Sequence, residues 1–136
     1  MVKVVLYVGK IFSFEDNSFD ICWSNAVIEH VGDLKAQLHF ITEVNRVTKS
    51  VIFYTPNKLF PIEIHTRTPL LHLLPKTFFD KDLILIGKKW ATGNYMNLLT
   101  KQNIVELLKK ANISNYKIYG NKLFGFSMDY VMFIKS

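Results

Sequence analysis

Glu63, His65 and His72 are the residues of this chain whose types suit either a metal ion or a moving proton, and they fall close together. A zinc site needs three or four ligands with tight spacing and fixed outer partners. The single Cys22 lies far upstream of this group, so no metal is expected here. His65 stands beside Thr66 and could take a proton from a substrate hydroxyl or amine as a general base. The other reading is a histidine whose hydrogen bonds only tie down its own segment. Cys22 falls inside an apolar run, where burial makes a thiol a small inert hydrophobe. Trp23, Trp90, Tyr95 and Phe60 read as packing rather than an aromatic cage.

Two more polar groups stand where strands should end. Ser24-Asn25-Ala26 closes the apolar run at 19–24, and Tyr54-Thr55-Pro56-Asn57 closes the run at 51–54. In open α/β sheets ligands bind at the carboxyl ends of strands, near the point where strand order reverses.

The hydrophobic pattern supplies the scaffold for these groups. Residues 2–8 are rich in β-branched side chains and stop at Gly9, which predicts a buried strand. A second strand is expected at 19–24. Behind Gly32-Asp33, the residues Leu34, Leu38, Ile41, Val44 and Val47 recur at helical spacing, with Asp33 as N-cap. A third strand is expected at 51–54. All four prolines (Pro56, Pro61, Pro69, Pro75) come next, so this stretch should be irregular or form short helical turns. Its many leucines and phenylalanines argue that it packs on the domain as a cap. Thr100 opens a helix to Ala111 with Ile104, Val105, Leu107, Leu108 and Ala111 on one face. Residues 116–119 and 128–134 read as an antiparallel pair joined through Gly120 and Gly125. The expectation is an α/β fold: a partial Rossmann-like sheet with helices on its faces and a C-terminal antiparallel hairpin. It forms one domain over 1–136, with 56–98 as a cap or lid insertion.

At 136 residues the chain suits one domain with a sizeable core, and 49% hydrophobic residues exclude wholesale disorder. The net charge of +6 is spread over scattered lysines and short pairs, with no run of five. No nucleic-acid or membrane partner is therefore expected. No apolar run reaches the ~18 residues of a membrane helix. One cysteine cannot form an internal disulfide, which is compatible with a cytoplasmic location.

The stretch Phe14-Glu15-Asp16-Asn17-Ser18-Phe19-Asp20-Ile21-Cys22-Trp23-Ser24-Asn25-Ala26-Val27-Ile28-Glu29-His30 closely resembles the middle of a class I S-adenosylmethionine-dependent methyltransferase. In that family an acidic loop of the form PF-x-D-x-SFD feeds the fourth strand, and an LEH segment follows. The helix opened by Thr100-Lys101 and the terminal strand pair extend the likeness over residues 9–136. Thr55-Pro56-Asn57 and the Pro/His segment after it resemble a bacterial, type 11-like subgroup.

The resemblance implies S-adenosylmethionine as cofactor and a small molecule as methyl acceptor. It would bring Lys10, Ile11 and Phe12 to the adenine, and Ser24, Asn25 and Ala26 to the methionine portion. By the resemblance His30 would border the pocket; the strand-end position makes Tyr54 and Asn57 the substrate-binding candidates, and the residue types make His65 the catalytic one. Against these roles, Asn25 could merely cap a turn and His30 could be hydrogen-bonded at a helix or loop end. Two departures bear on the adenine: Gly9-Lys10 replaces a Gly-Asp pair, and Phe12-Ser13-Phe14 replaces LPF. The family also holds its cofactor with a glycine-rich loop and an acidic residue on the ribose. The six glycines here (Gly9, Gly32, Gly87, Gly93, Gly120, Gly125) spell no G-x-G. The chain therefore resembles the C-terminal half of the enzyme, with methyl transfer impaired or, alternatively, with a non-catalytic, partner-docking role. An apolar strand at 2–8 without its family neighbours should rearrange beside 19–24 or drive homo-oligomer formation or pairing with a complementing chain.

Overall fold

Strand β2, Ser50–Pro56, is the hinge of the architecture, because its alternating side chains face two different environments. The computed structural model describes residues 4–7, 9, 11–63 and 65–135. Parallel to β2 runs β1, Cys22–Asn25, with Ser24 opposite Phe53. On its other side lies the antiparallel strand β6, Phe126–Lys135, which in turn pairs with β5, Tyr116–Leu123. The sheet order is β1-β2-β6-β5. The parallel β1–β2 step needs a crossover, and α1, Leu34–Val47, provides it.

Period-2 alternation places Val51 and Phe53 of β2 with Met132 and Ile134 of β6 on one face, all buried. Helix α1 lays Phe40, Ile41 and Val44 on that face. Helix α3, Lys101–Lys110, adds Ile104, Leu107 and Leu108 beside them. Both helices start with local caps. Asp33 accepts from the Ala36 amide at 2.9 Å, and Thr100 and Asn103 form a reciprocal capping box. The residues between these core positions point the other way, and there Trp23 (61% exposed), Tyr119 and Phe133 remain open to solvent.

The terminal hairpin is longer than its sequence suggests. Gly120 does not interrupt β5 but lies inside it, where a Cβ would come within 3.0 Å of Ser127 Oγ. The turn is Phe124-Gly125, both with positive φ, which matches the right-handed twist of the flanking strands. The segment after β2 is also more regular than expected. A short ribbon pairs β3, Ile62–Glu63, with β4, Thr68–Pro69. It leads to α2, Lys76–Leu85, which buries Phe79 and Leu83 against Ala91 and Met96. Pro75 stands at the start of α2, where its missing N–H removes no helical bond.

The strand expected at 2–8 lies partly outside the described residues, and over residues 4–7 it does not form. Val4 and Leu6 are exposed, while Tyr7 stacks on Phe12 at 4.4 Å and also meets Phe40. Burial of that one ring outweighs strand propensity where no neighbouring strand supplies ladder partners. Among the described residues no helix is long and apolar enough to cross a membrane.

Arg46 fastens the loop that precedes β1. Its guanidinium donates to both oxygens of Glu43, to the carbonyls of Phe12 and Phe14, and to Asp16 at 2.7 Å. Glu43 Oε2 also accepts from the Phe12 amide at 3.0 Å. The bonds from Arg46, helped by the Phe12 amide, hold the Glu43 carboxyl below its ordinary value against the opposing effect of burial. A carboxyl depressed in the folded state stabilises above its unfolded pKa, and that stability is lost as pH falls through the lower, folded value. Urea unfolding of the wild type should therefore weaken between about pH 5 and pH 3 more than that of Glu43→Gln. Parallel loss in the two proteins would contradict this role.

Candidate functional site

The carboxyl ends of β1 and β2 converge on a buried carboxyl group. After Asn25 the chain turns sharply: Ala26 adopts φ 51° and its amide donates to the Tyr54 carbonyl at 3.0 Å. A single helical turn, Ile28–His30, follows and points two neighbouring side chains in different directions. Glu29 is wholly buried, whereas His30 is half-buried. The Glu29 carbonyl accepts from the Asn97 amide at 2.8 Å, and the Asn97 side chain donates to Gly32 O, which ties this turn to the end of segment 56–98.

Thr55, near the end of β2, donates from Oγ1 to Glu29 Oε2 at 3.2 Å. His65 reaches in from the β3–β4 loop, with Nε2 3.3 Å from Glu29 Oε1. Its imidazole lies edge-on to that of His30, with centroids 4.8 Å apart. His30 Nδ1 is 2.8 Å from the Tyr95 carbonyl. A carbonyl only accepts, so this nitrogen carries the proton and Nε2 carries the lone pair in the neutral ring. The bond to Glu29 raises the His65 pKa above the ordinary histidine value, with the Glu63 and Glu29 charges adding and burial opposing. His65 is therefore a stronger base than a free imidazole.

Glu63 and His72, grouped with His65 by sequence spacing, do other work. Glu63 builds the loop that carries His65. Its carboxyl accepts from the His65 amide at 2.8 Å and from the amide and hydroxyl of Thr66. Lys88 closes the same loop by donating to the Thr66 carbonyl. His72 is buried against a different group of residues, beside a cavity lined also by Lys58, Lys76 and Phe79.

The residues expected around a cofactor divide into three groups. Ser24, Asn25 and Ala26 stand together at the end of β1, where the Ser24 hydroxyl is buried without a hydrogen-bond partner among the described residues and Asn25 is exposed. Ile11 is exposed, and Phe12 faces a groove of about 310 Å³ along the open edge of β1, lined also by Phe14, Phe19, Ile21 and Trp23. Lys10 lies outside the described residues. Tyr54 and Asn57 turn toward β6. The Tyr54 hydroxyl donates to Asp129 at 3.1 Å, and burial together with Asp129 pushes its pKa up to about 12. Asn57 uses both ends of its amide, donating to the Ser127 carbonyl at 2.7 Å and accepting from the Leu59 amide. Sequence reasoning missed Glu29 and Thr55 as members of the site. Their signals were the LEH segment that contains Glu29 and the place of Thr55 near the end of β2.

Residues 2–51 match the family model described as a methyltransferase domain. No curated protein sequence matches the chain. Among solved structures, a Thermotoga maritima S-adenosylmethionine-dependent methyltransferase, described as a possible histamine N-methyltransferase, aligns with TM-score 0.60 at 14% identity. That alignment covers 98% of this chain and 64% of the Thermotoga chain. A Methanosarcina mazei S-adenosylmethionine-dependent methyltransferase gives 0.56 at 18% identity, covering 95% and 64%. An Archaeoglobus fulgidus counterpart gives 0.56 at 12% identity, covering 91% and 62%. The chain thus spans less than two thirds of the length of these structures. Its sheet, its helices and its C-terminal antiparallel pair are those of the S-adenosylmethionine-dependent methyltransferase fold.

Proposed function

We propose that this chain serves S-adenosylmethionine-dependent methyl transfer to a small molecule, with the acceptor received at the Glu29–His65 pair. The observation that carries this reading is the pair itself: a basic imidazole backed by a buried carboxyl group, at the carboxyl ends of two parallel strands. The donor-side residues suit the cofactor's methionine portion, because the Ser24 hydroxyl, without a partner among the described residues, and the exposed Asn25 amide offer hydrogen bonds there. The bound cofactor supplies an activated methyl group on a sulfonium. This chain's residues have only to orient the acceptor, shed water and accept a proton. His65 Nδ1, the nitrogen not bonded to Glu29, receives the proton of an acceptor hydroxyl or amine, Glu29 steadies the resulting imidazolium through Nε2, and Thr55 holds Glu29 in place. Segment 56–98, which carries His65 and Tyr95, acts as the lid over these strand ends.

A second reading, a partner-docking module, is favoured by the open edge of β1, where the apolar groove bordered by Phe12, Phe14 and Trp23 meets solvent. The deciding experiment supplies the chain with methyl-labelled S-adenosylmethionine at about millimolar concentration, in chelator, with a panel of small alcohols, phenols and amines. Label appearing in one acceptor class supports methyl transfer. No transfer above the uncatalysed rate, with or without the acceptors, overturns it.

A further inference from the structure

We propose that Glu29, His30 and His65 form a binding site for a divalent transition-metal cation. One ligating atom from each of the three side chains lies within 4.8 Å of the others. Around a cation with ligand distances of ~2.0–2.2 Å, such atoms stand roughly 3.3–4.2 Å apart, so inward movements of under about 1 Å complete the site. His30 and His65 are both half-buried and belong to a short turn and a loop, which can make that adjustment.

The donor set is one carboxylate oxygen and two imidazole nitrogens, which suits zinc, cobalt, nickel or manganese. Three protein ligands leave at least one position for water or an oxygen of a bound molecule. The outer partners are already in place. The Tyr95 carbonyl fixes the His30 ring so that its other nitrogen carries the lone pair. Thr55 occupies Glu29 Oε2 and leaves Oε1 for a ligand, while Glu63 pins the His65 backbone.

The carboxyl group itself also calls for a cation. Glu29 has no solvent exposure, and among the described residues its carboxylate is hydrogen-bonded only to Thr55 and His65, both beyond 3 Å, with no Lys or Arg paired to it. A buried carboxyl in such a setting is stabilised by a bound positive charge. The His65 side chain keeps 21% of its surface exposed, which gives an ion a way in. This inference rests on the side-chain geometry alone and holds whether or not the chain transfers methyl groups. A cation held by His65 Nε2 leaves the ring proton on Nδ1, so cation binding and proton acceptance exclude each other; chelated protein isolates the second role and metal-loaded protein the first.

The test is a Co²⁺ titration of chelator-treated protein, followed by visible absorption and calorimetry, with Zn²⁺ as competitor. The expected result is one equivalent bound with a dissociation constant below about 100 µM. His30→Ala and His65→Ala should each weaken binding by at least about tenfold, while His72→Ala leaves it unchanged. Glu29→Gln should do the same as the site histidines, but it alters a buried residue. The two half-buried histidines, with native circular dichroism as the check, therefore decide. No stoichiometric binding below that concentration overturns the site, as does a loss of less than tenfold in either histidine variant.

Discussion

Replacing His65 with alanine is expected to reduce methyl transfer by about 10²–10⁴-fold in chelated protein, the range for removing a general base. The reason lies in what the side chain touches. Among the described residues its Nε2 is hydrogen-bonded only to Glu29, while the loop that carries it is held separately by Glu63, Thr66 and Lys88. Truncating the ring therefore removes the proton acceptor without dismantling its platform. Added imidazole should restore part of the rate, because it supplies the missing base in solution. The rate should fall in kcat more than KM should rise, since the proton moves only as the methyl group does. A variant within threefold of the wild type would remove His65 from the chemistry and leave it a loop residue.

The second large effect concerns the strand that brings the site together. Phe53→Ala is expected to destabilise the fold by about 3–5 kcal/mol, against a total of about 5–15 kcal/mol for a domain of ordinary stability. Phe53 has no exposed surface, pairs with Ser24 on one side and Met132 on the other, and meets the Phe40 ring at 6.1 Å. Its neighbours belong to β1, β6 and α1 at once, so the void cannot close without moving a strand against a helix. Urea denaturation should show a lower midpoint with an unchanged slope. A loss under about 1 kcal/mol would mean that this part of the core is not packed as described.

The parts of the fold that were legible in the sequence are those where one physical period dominates. Leu38, Ile41 and Val44 in α1, and Ile104, Leu107 and Leu108 in α3, repeat at helical spacing because each helix packs a single face on the sheet. Helix α2 was not legible, since Phe78, Ile84 and Leu85 are exposed around the buried Phe79 and Leu83, and no single stripe stands out. Gly120 misled as a strand end: its missing side chain makes room for Ser127 across the ladder. The site was half legible. His65 and His30 could be named from their types, and Ser24 to Ala26 from their position after a strand. Their connection through Glu29 could not, because the partner of His65 lies 36 residues away and spacing arguments favour near neighbours. The crossover from β1 to β2 brings Glu29 to Thr55, and the return of the β3–β4 loop over these strand ends brings His65 to the same carboxyl group.

The claim that most needs a direct measurement is that the end of β1 receives the methionine portion of the cofactor. S-adenosylhomocysteine titrated into labelled protein, followed residue by residue in amide NMR spectra, measures both place and strength. The sequence contains no G-x-G turn, so several polar anchors worth ~1–3 kcal/mol each are missing from this chain. Binding should therefore be much weaker than low micromolar, with shifts that begin at Ser24, Asn25, Ala26 and His30 and saturate near about millimolar ligand. Spectra unchanged at those four residues at that concentration would contradict a cofactor site at the end of β1.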